Sequence, residues 1–283
     1  MNKAILKSML VSTVILLATG PTQAHELFLK ADNYFLKPHS HETLKLVNGT
    51  FDQSLAFVAR DRMQDVSIVM EGKVHHPSAA DWYDANDSSY LKFSTGNAGT
   101  YVAGVSTKRS GISTRPAEEF RKYLEHYGIL DTLAAFDNDN QLSEIRHRSS
   151  KHVKAVFQVG DEYSSDYSKR LGYPVEIILK NNPYKLNLND KLSFQVLYDG
   201  NPVENQLVYV SHAGFNTPYD VGGRPNAAKL RTDKNGVASF KVGKKSVWYI
   251  ALIHVRRVKD AEIDYESNWA TLTFEMRPQL IAP

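Results

Sequence analysis

Histidine is the residue type best suited to metal binding in this 283-residue chain, which contains ten histidines and no cysteine. The absence of cysteine excludes disulfides, thiolate zinc sites, iron–sulfur clusters and cysteine nucleophiles. Any metal must therefore bind to imidazole, carboxylate or backbone groups. The sequence also contains no Gly-rich phosphate loop, no Gly-x-Ser-x-Gly elbow and no His-Glu-x-x-His motif, so no motif predicts a particular reaction.

Residues 1–24 have the layout of a secretory signal peptide. Lys3 and Lys7 form a basic start, an apolar run follows from Met9 to Leu17, and Ala24 ends a stretch typical of a signal peptidase site. The apolar run is too short for a permanent membrane span, although an uncleaved anchor is the alternative. We therefore predict cleavage after Ala24 and export, most simply to a bacterial periplasm.

Cleavage after Ala24 would make His25 the first residue of the mature chain. A terminal histidine offers a free amine and an imidazole nitrogen, which together can close a chelate ring on one metal ion. With a second imidazole, the three nitrogens form a histidine brace, which suits copper and is acceptable for nickel. The alternative is that cleavage simply happens to expose a histidine.

His254 is the strongest internal candidate for a metal ligand. In the strand predicted from Val247 to Val255, His254 shares one face with apolar residues such as Leu252. This position at the end of an apolar face lies near a sheet rim, where a site can open. A core histidine bonded to a backbone carbonyl is the alternative interpretation.

Glu266 and His212 complete the set of predicted metal-site residues. Glu266 could bind the metal or orient an imidazole, but an ion pair with Arg256 or Arg257 explains it equally well. His212 follows a predicted strand and precedes a glycine-containing loop, where it is either a ligand or a surface residue.

Two further histidine pairs lie in segments that resemble loops. His39 and His41 point to one side of an extended segment and could hold one ion between them, or they are simply exposed polar residues. His75 and His76 precede Pro77, and we interpret them as a surface turn.

Short β-strands separated by turns dominate the chain after residue 24, which predicts an all-β protein made of two β-sandwich domains. A short helical insertion is expected around 116–136, with Phe120 and Leu124 on its apolar face. The C-terminal sandwich is expected to be immunoglobulin-like or transthyretin-like. The predicted boundaries are 25–160 for the N-terminal sandwich, 161–172 for a linker and 173–283 for the C-terminal sandwich.

The charge balance is close to neutral, with 34 basic and 31 acidic residues and a formal net charge of +3. A charge this small and dispersed does not indicate a nucleic-acid partner. No other stretch approaches the ~18 uninterrupted apolar residues of a membrane helix, so we expect a chain that does not itself span a membrane.

Several segments form a pattern that is more specific together than separately. They are Ala24 to Leu29, Ser150 to Gly160, Leu197 to Val203, Thr232 to Gly236, Trp248 to His254 and Tyr265 to Phe274. Over nearly the whole mature chain this pattern resembles an exported bacterial family of formerly unknown function. That family is grouped with the periplasmic substrate-specific component of nickel and cobalt uptake systems. The resemblance implies two β-sandwich domains, a role in handling a transition metal, and a joint role for His25 and His254.

We therefore expect a periplasmic binding protein for nickel or cobalt, or for copper, that is accessory to metal uptake and is not an enzyme. Its partners would be the metal ion and an inner- or outer-membrane transporter. One alternative is a copper histidine-brace oxidase with a flat aromatic face, to which Trp82 and Tyr83 would contribute. The other is an adhesion or carbohydrate-binding module that needs no metal.

Overall fold

The computed structural model of the protein describes residues 26–139, 141–214 and 227–277. These residues form eighteen β-strands and two α-helices, which confirms the predicted all-β, sandwich-like fold class. The predicted signal peptide, 1–24, and the predicted ligand His25 lie outside the described residues. Among the residues that are described, no helix is both long enough and apolar enough to cross a membrane.

The strands of the N-terminal half are β1 Glu26–Ala31, β2 Phe35–Leu36, β3 His41–Gly49, β4 Met63–Met70, β5 Lys73–His75, β6 Trp82–Ala85, β7 Ser88–Ser94, β8 Gly99–Thr107, β9 Ser113–Pro116 and β10 Glu144–Val159. The two helices between β9 and β10 are α1 Ala117–His126 and α2 Leu130–Asp139. The strands of the C-terminal half are β11 Val175–Leu179, β12 Lys191–Tyr198, β13 Asn201–Pro202, β14 Leu207–His212, β15 Ala228–Arg231, β16 Val237–Lys241, β17 Ser246–Arg257 and β18 Tyr265–Met276.

These strands form three sheets within the described residues. The N-terminal sheet has the order β1-β3-β7-β6, and the C-terminal sheet has the order β11-β12-β13 with β16 also paired to β12. The central sheet has the order β15-β14-β17-β18-β10-β8-β4-β5, with β2 and β9 also paired to β10. Strands from both halves of the chain share the central sheet, because β10 pairs in parallel with β18. The division into separate domains at 161–172 stays a prediction.

The two faces of the central sheet support two different cores. Along β10, Val153, Ala155 and Phe157 pack against the N-terminal sheet, whereas Val156 packs against the C-terminal sheet. This alternation follows from the two-residue repeat of a strand, which sends successive side chains to opposite faces. We call the first face the N-side face and the second the C-side face.

The helical insertion covers one end of the N-side face. Phe120 and Leu124 of α1 are fully buried, as the helical spacing predicts, and they pack in a cluster with Tyr265 and Trp269 of β18. The second helix, α2, ends at Asp139, slightly beyond the predicted end of the insertion.

Candidate functional site

The strand that follows His25 lies on the N-side face of the central sheet. The Oγ1 hydroxyl of Thr271 in β18 donates a hydrogen bond of 2.8 Å to the carbonyl oxygen of Leu27 in β1. Since His25 itself lies outside the described residues, its part in a histidine brace stays a prediction.

His254 belongs to the opposite face of the same sheet. It is paired across β17 and β18 with Asn268, and directly paired residues send their side chains to the same face. Asn268 is three residues from Thr271, so these two side chains point to opposite faces. A metal ion bound by both His25 and His254 would therefore require the N-terminus to cross from one face of the sheet to the other.

The surroundings of His254 fix its tautomer and keep its ring neutral. Gln206 donates through Nε2 to the carbonyl oxygens of Leu207 and Ile253, which orients its Oε1 atom as the acceptor, 2.9 Å from His254 Nδ1. The ring also packs against Tyr198, with 4.7 Å between centroids. Burial, together with the Arg256 charge, lowers the pKa of His254 to about 4. The imidazole is therefore neutral at pH 7, with Nδ1 as the donor and Nε2 as the nitrogen left for a ligand.

Glu266 forms ion pairs on the same face. Its carboxylate lies 3.1 Å from Arg256 Nη2 and 3.4 Å from Arg109 Nε, and its side chain is only 6% exposed. The Arg256 pair agrees with one of the two sequence interpretations, whereas the contact with Arg109 joins residues that are distant in sequence. Two guanidinium groups satisfy this carboxylate and would repel an incoming cation.

His212 lies far from His254 along the central sheet. It is paired with Trp248, which is six residues before His254 on β17, so about 20 Å of strand separates the two positions. The Nδ1 atom of His212 is 2.8 Å from the carbonyl oxygen of Ala213, and its ring packs edge-on against Trp248. His212 and His254 therefore cannot bind the same ion in this fold.

A buried network at the centre of the C-side face has the residue types of a hydrolase triad. Ser106 Oγ lies 2.9 Å from His152 Nδ1, and His152 Nε2 lies 3.1 Å from Asn268 Oδ1. All three residues are at most 4% exposed, so a substrate could not reach the hydroxyl. Burial lowers the pKa of His152 to about 4. The network is best explained as polar packing beneath the C-terminal sheet.

An open cleft in the N-terminal sandwich brings together histidines that are distant in sequence. His41 begins β3, whereas His75 ends β5 and His76 follows it. The β4–β5 hairpin places this pair at the sheet edge, because Glu71 and Gly72 have the positive φ angles of a tight two-residue turn. The cavity has a volume of about 830 Å³, and its lining includes His41, His75, His76, Lys92, Ile68 and Phe93. We call this cavity the histidine cleft.

Two of these imidazoles are held through Nδ1. His76 Nδ1 lies 3.3 Å from Asp65 Oδ1 and 3.2 Å from the carbonyl oxygen of Val66. The Val66 carbonyl oxygen and the ionised Asp65 carboxylate can only accept hydrogen bonds. Nδ1 of His76 therefore carries the proton, and its Nε2 atom is left for a ligand. His41 Nδ1 is likewise 3.0 Å from Ser94 Oγ. Metal-binding histidines are commonly oriented in this way by a carboxylate or a hydrogen-bonding partner.

The described side chains of the cleft are not arranged to hold a bare ion by themselves. Across residues 26–139, 141–214 and 227–277, no three histidine, aspartate or glutamate side chains are grouped closely enough to do so. Both pairs, His39 with His41 and His75 with His76, are visible in the sequence, where the second pair is expected to form a surface turn. Nothing in the sequence shows that the start of β3 and the end of β5 share one cavity.

The fold and the cleft define an all-β, sandwich-type protein with a small-molecule-sized cavity. The chain belongs to the family described as "Domain of unknown function (DUF4198)", whose sequence pattern matches residues 22–256. No curated protein matches the chain.

Three solved structures illustrate how remote the structural similarities are. Trypsin-activated alpha-2-macroglobulin from Escherichia coli is 11% identical, with 89% of this chain and 16% of that chain covered and a TM-score of 0.25. The elastase-activated form of Escherichia coli alpha-2-macroglobulin is 10% identical, with 88% and 20% covered and a TM-score of 0.24. Three N-terminal domains of the bacteriophage RB49 outer capsid protein Hoc are 9% identical, with 89% and 59% covered and a TM-score of 0.19. The chain spans less than two thirds of each of these proteins, and such TM-scores support no argument about function.

Proposed function

We propose that the protein is an exported binding protein that takes up a transition-metal ion as a small chelate in the histidine cleft, accessory to metal uptake. The observation that carries this proposal is the His76 imidazole, whose Nδ1 faces the Asp65 carboxylate while its Nε2 is left for a ligand. A carboxylate partner fixes the tautomer of a ligating histidine and raises its basicity.

The size of the cleft favours a chelate over a bare ion. A cavity of about 830 Å³ lies within the range of small-molecule sites, roughly 300–1,000 Å³, whereas one water occupies ~30 Å³. His41 and His76 could each supply one nitrogen to the ion, and the chelating molecule would supply the other ligands. Imidazole ligands suit nickel, cobalt and copper, and affinity rises from cobalt through nickel to copper.

The remaining parts of the proposal rest on the sequence. The resemblance to the nickel and cobalt uptake component supports the metal class and a membrane transporter as partner. The signal-like residues 1–24 support a periplasmic location. His25, with its free amine, and His254 form a second candidate ligand set, which the same experiment can separate from the cleft.

The test is calorimetric titration of correctly processed protein beginning at His25. The probes are Ni²⁺, Co²⁺ and Cu²⁺, each alone and each with two equivalents of free histidine. We expect the histidine complexes to bind and expect His41→Ala and His76→Ala each to weaken binding by at least tenfold. The control is His126→Ala, which removes a histidine at the end of α1, outside the cleft.

The outcomes distinguish the two ligand sets. If His25→Ala or one added N-terminal residue abolishes binding while the cleft variants do not, the metal binds at the terminus and the cleft assignment is wrong. If none of the probes binds, the metal-binding proposal itself fails. Oxygen consumption by the copper-loaded protein with a reductant would instead support the oxidase alternative.

A further inference from the structure

The outward face of the N-terminal sheet carries an arrangement of aromatic and basic side chains that the metal proposal does not use. Leu44 of β3 and Leu91 of β7 point into the N-side core. The residues next to them along each strand therefore point outward. Lys45 is paired with Tyr90, and Tyr90 is also paired with Tyr83 on β6. We call Lys45, Tyr83, Tyr90 and Lys92 the tyrosine–lysine face.

The two tyrosine rings are stacked on each other with nearly parallel planes. Their centroids are 5.1 Å apart and their planes differ by 12°. Lys92 Nζ lies 4.9 Å from the Tyr83 centroid, and Lys45 Nζ lies 5.8 Å from the Tyr90 centroid. Tyr83 is 41% exposed, so part of its ring is accessible to a ligand. Each ammonium group is therefore held next to a ring by a cation–π contact.

Along the outward positions of β3 and β7 next to these rings, the charge has one sign. From 41 to 45 on β3 and from 90 to 94 on β7, the outward ionisable side chains are His41, Lys45, Tyr90 and Lys92, and none is a carboxylate. In the part of the chain that the structure describes, no ion pair involves Lys45 or Lys92. Lys30 on β1 is paired with Lys45, and burial together with the Lys45 charge lowers the pKa of Lys30, against nearby aspartates that raise it. Like charges opposite each other destabilise a sheet, which favours an anion as the external partner of this face.

We infer that the tyrosine–lysine face binds an anionic polysaccharide. The apolar face of a sugar ring would pack on the exposed part of Tyr83, while uronate or sulfate groups would pair with Lys45 and Lys92. A membrane surface fits less well, because this face presents no exposed aliphatic side chain that could insert into lipid. A nucleic acid fits less well because the formal charge of the chain is only +3. This inference does not depend on metal binding.

The test measures binding of the full mature protein to alginate, a polyuronate, with neutral dextran as the uncharged comparison. We expect alginate binding that weakens as salt is raised, and no dextran binding. Tyr83→Ala and Lys92→Glu should each weaken alginate binding at least tenfold, whereas Tyr83→Phe should stay within twofold of the original protein. The side chains altered are outward-facing, and an unchanged Tm would show that each variant is folded.

A matched control exists elsewhere in the chain. Tyr163 is also 41% exposed and has Lys185 Nζ 5.1 Å from its ring centroid, but it is outside the tyrosine–lysine face. Tyr163→Ala should leave alginate binding within twofold. Absence of alginate binding, equal binding of dextran, or an equal loss in Tyr163→Ala would overturn the inference. So would equal binding of phosphatidylglycerol vesicles or single-stranded DNA at this face, because the site would then recognise charge alone.

Discussion

The histidines of the central sheet and those of the histidine cleft have opposite environments. His147, His152 and His254 lie in the sheet, where burial lowers the pKa of each to about 4 and each ring is hydrogen-bonded to a neighbouring side chain. His41 and His76 are exposed at the cleft. Packing explains the three buried histidines of the sheet. His41 and His76 are instead hydrogen-bonded through Nδ1 and exposed to solvent. A histidine with a hydrogen-bonded Nδ1 atom and an accessible Nε2 atom is therefore a better candidate for a metal ligand than a histidine on an apolar strand.

Acidification should have the largest effect, because it acts on all three buried histidines together. Their folded pKa values of about 4 lie below the unfolded value of 6.5, so the unfolded chain binds more protons between these two values. The free energy of unfolding is therefore undiminished above pH 6.5 and falls as pH decreases toward 4, by up to ~3 kcal/mol per histidine. Urea unfolding at pH 7.5, 6, 5 and 4.5 measures this.

This pH window is separated from the titration of Asp260 and Asp264. Hydrogen bonds lower the pKa values of Asp260 and Asp264 below 3.8, so both remain ionised across the window. A free energy of unfolding that stays constant from pH 7.5 to 5 would show that the sheet histidines are not held neutral by burial.

Replacement of single histidines should separate the two groups by stability. His152→Ala leaves Ser106 and Asn268 without their shared partner and opens a cavity, which should lower the free energy of unfolding by ~2–4 kcal/mol. His76→Ala removes an exposed side chain and should change the free energy of unfolding by less than ~0.5 kcal/mol. Urea unfolding of both variants at pH 7.5 provides the comparison. Equal destabilisation would mean that His76 is as structural as His152.

The fold class and several elements were predictable because they depend on local patterns. The alternation along β17 and the helical spacing of Phe120 and Leu124 both indicate which side chains are buried. The shared central sheet was not predictable, because it depends on the parallel pairing of β10 with β18, which are far apart in sequence. The histidine cleft has the same cause, since His41 and His76 approach only when two different sheets pack together.

The orientation of His76 by Asp65 should also contribute to metal affinity. Asp65→Asn replaces the carboxylate that fixes His76, and loss of such a partner typically weakens metal binding by ~10–100-fold. The readout is the affinity for the Ni²⁺–histidine complex, with Asp84→Asn on β6 as the control. Because Tyr173 also donates to Asp65, the Tm is measured alongside. Unchanged affinity in Asp65→Asn would show that this carboxylate does not prepare the cleft for metal.

His254→Gln should give the smallest change in metal affinity and is the sharpest test of the comparison. His254 lies on the C-side face with its Nδ1 atom bonded to Gln206, away from the histidine cleft, so affinity for the Ni²⁺–histidine complex should stay within twofold. Stability should fall modestly, by ~1 kcal/mol, because the bond to Gln206 is disturbed. Calorimetric titration beside His76→Ala measures the contrast. If His254→Gln weakens binding more than His76→Ala does, the buried histidine is the ligand, and accessibility is then the wrong criterion for choosing between the two groups.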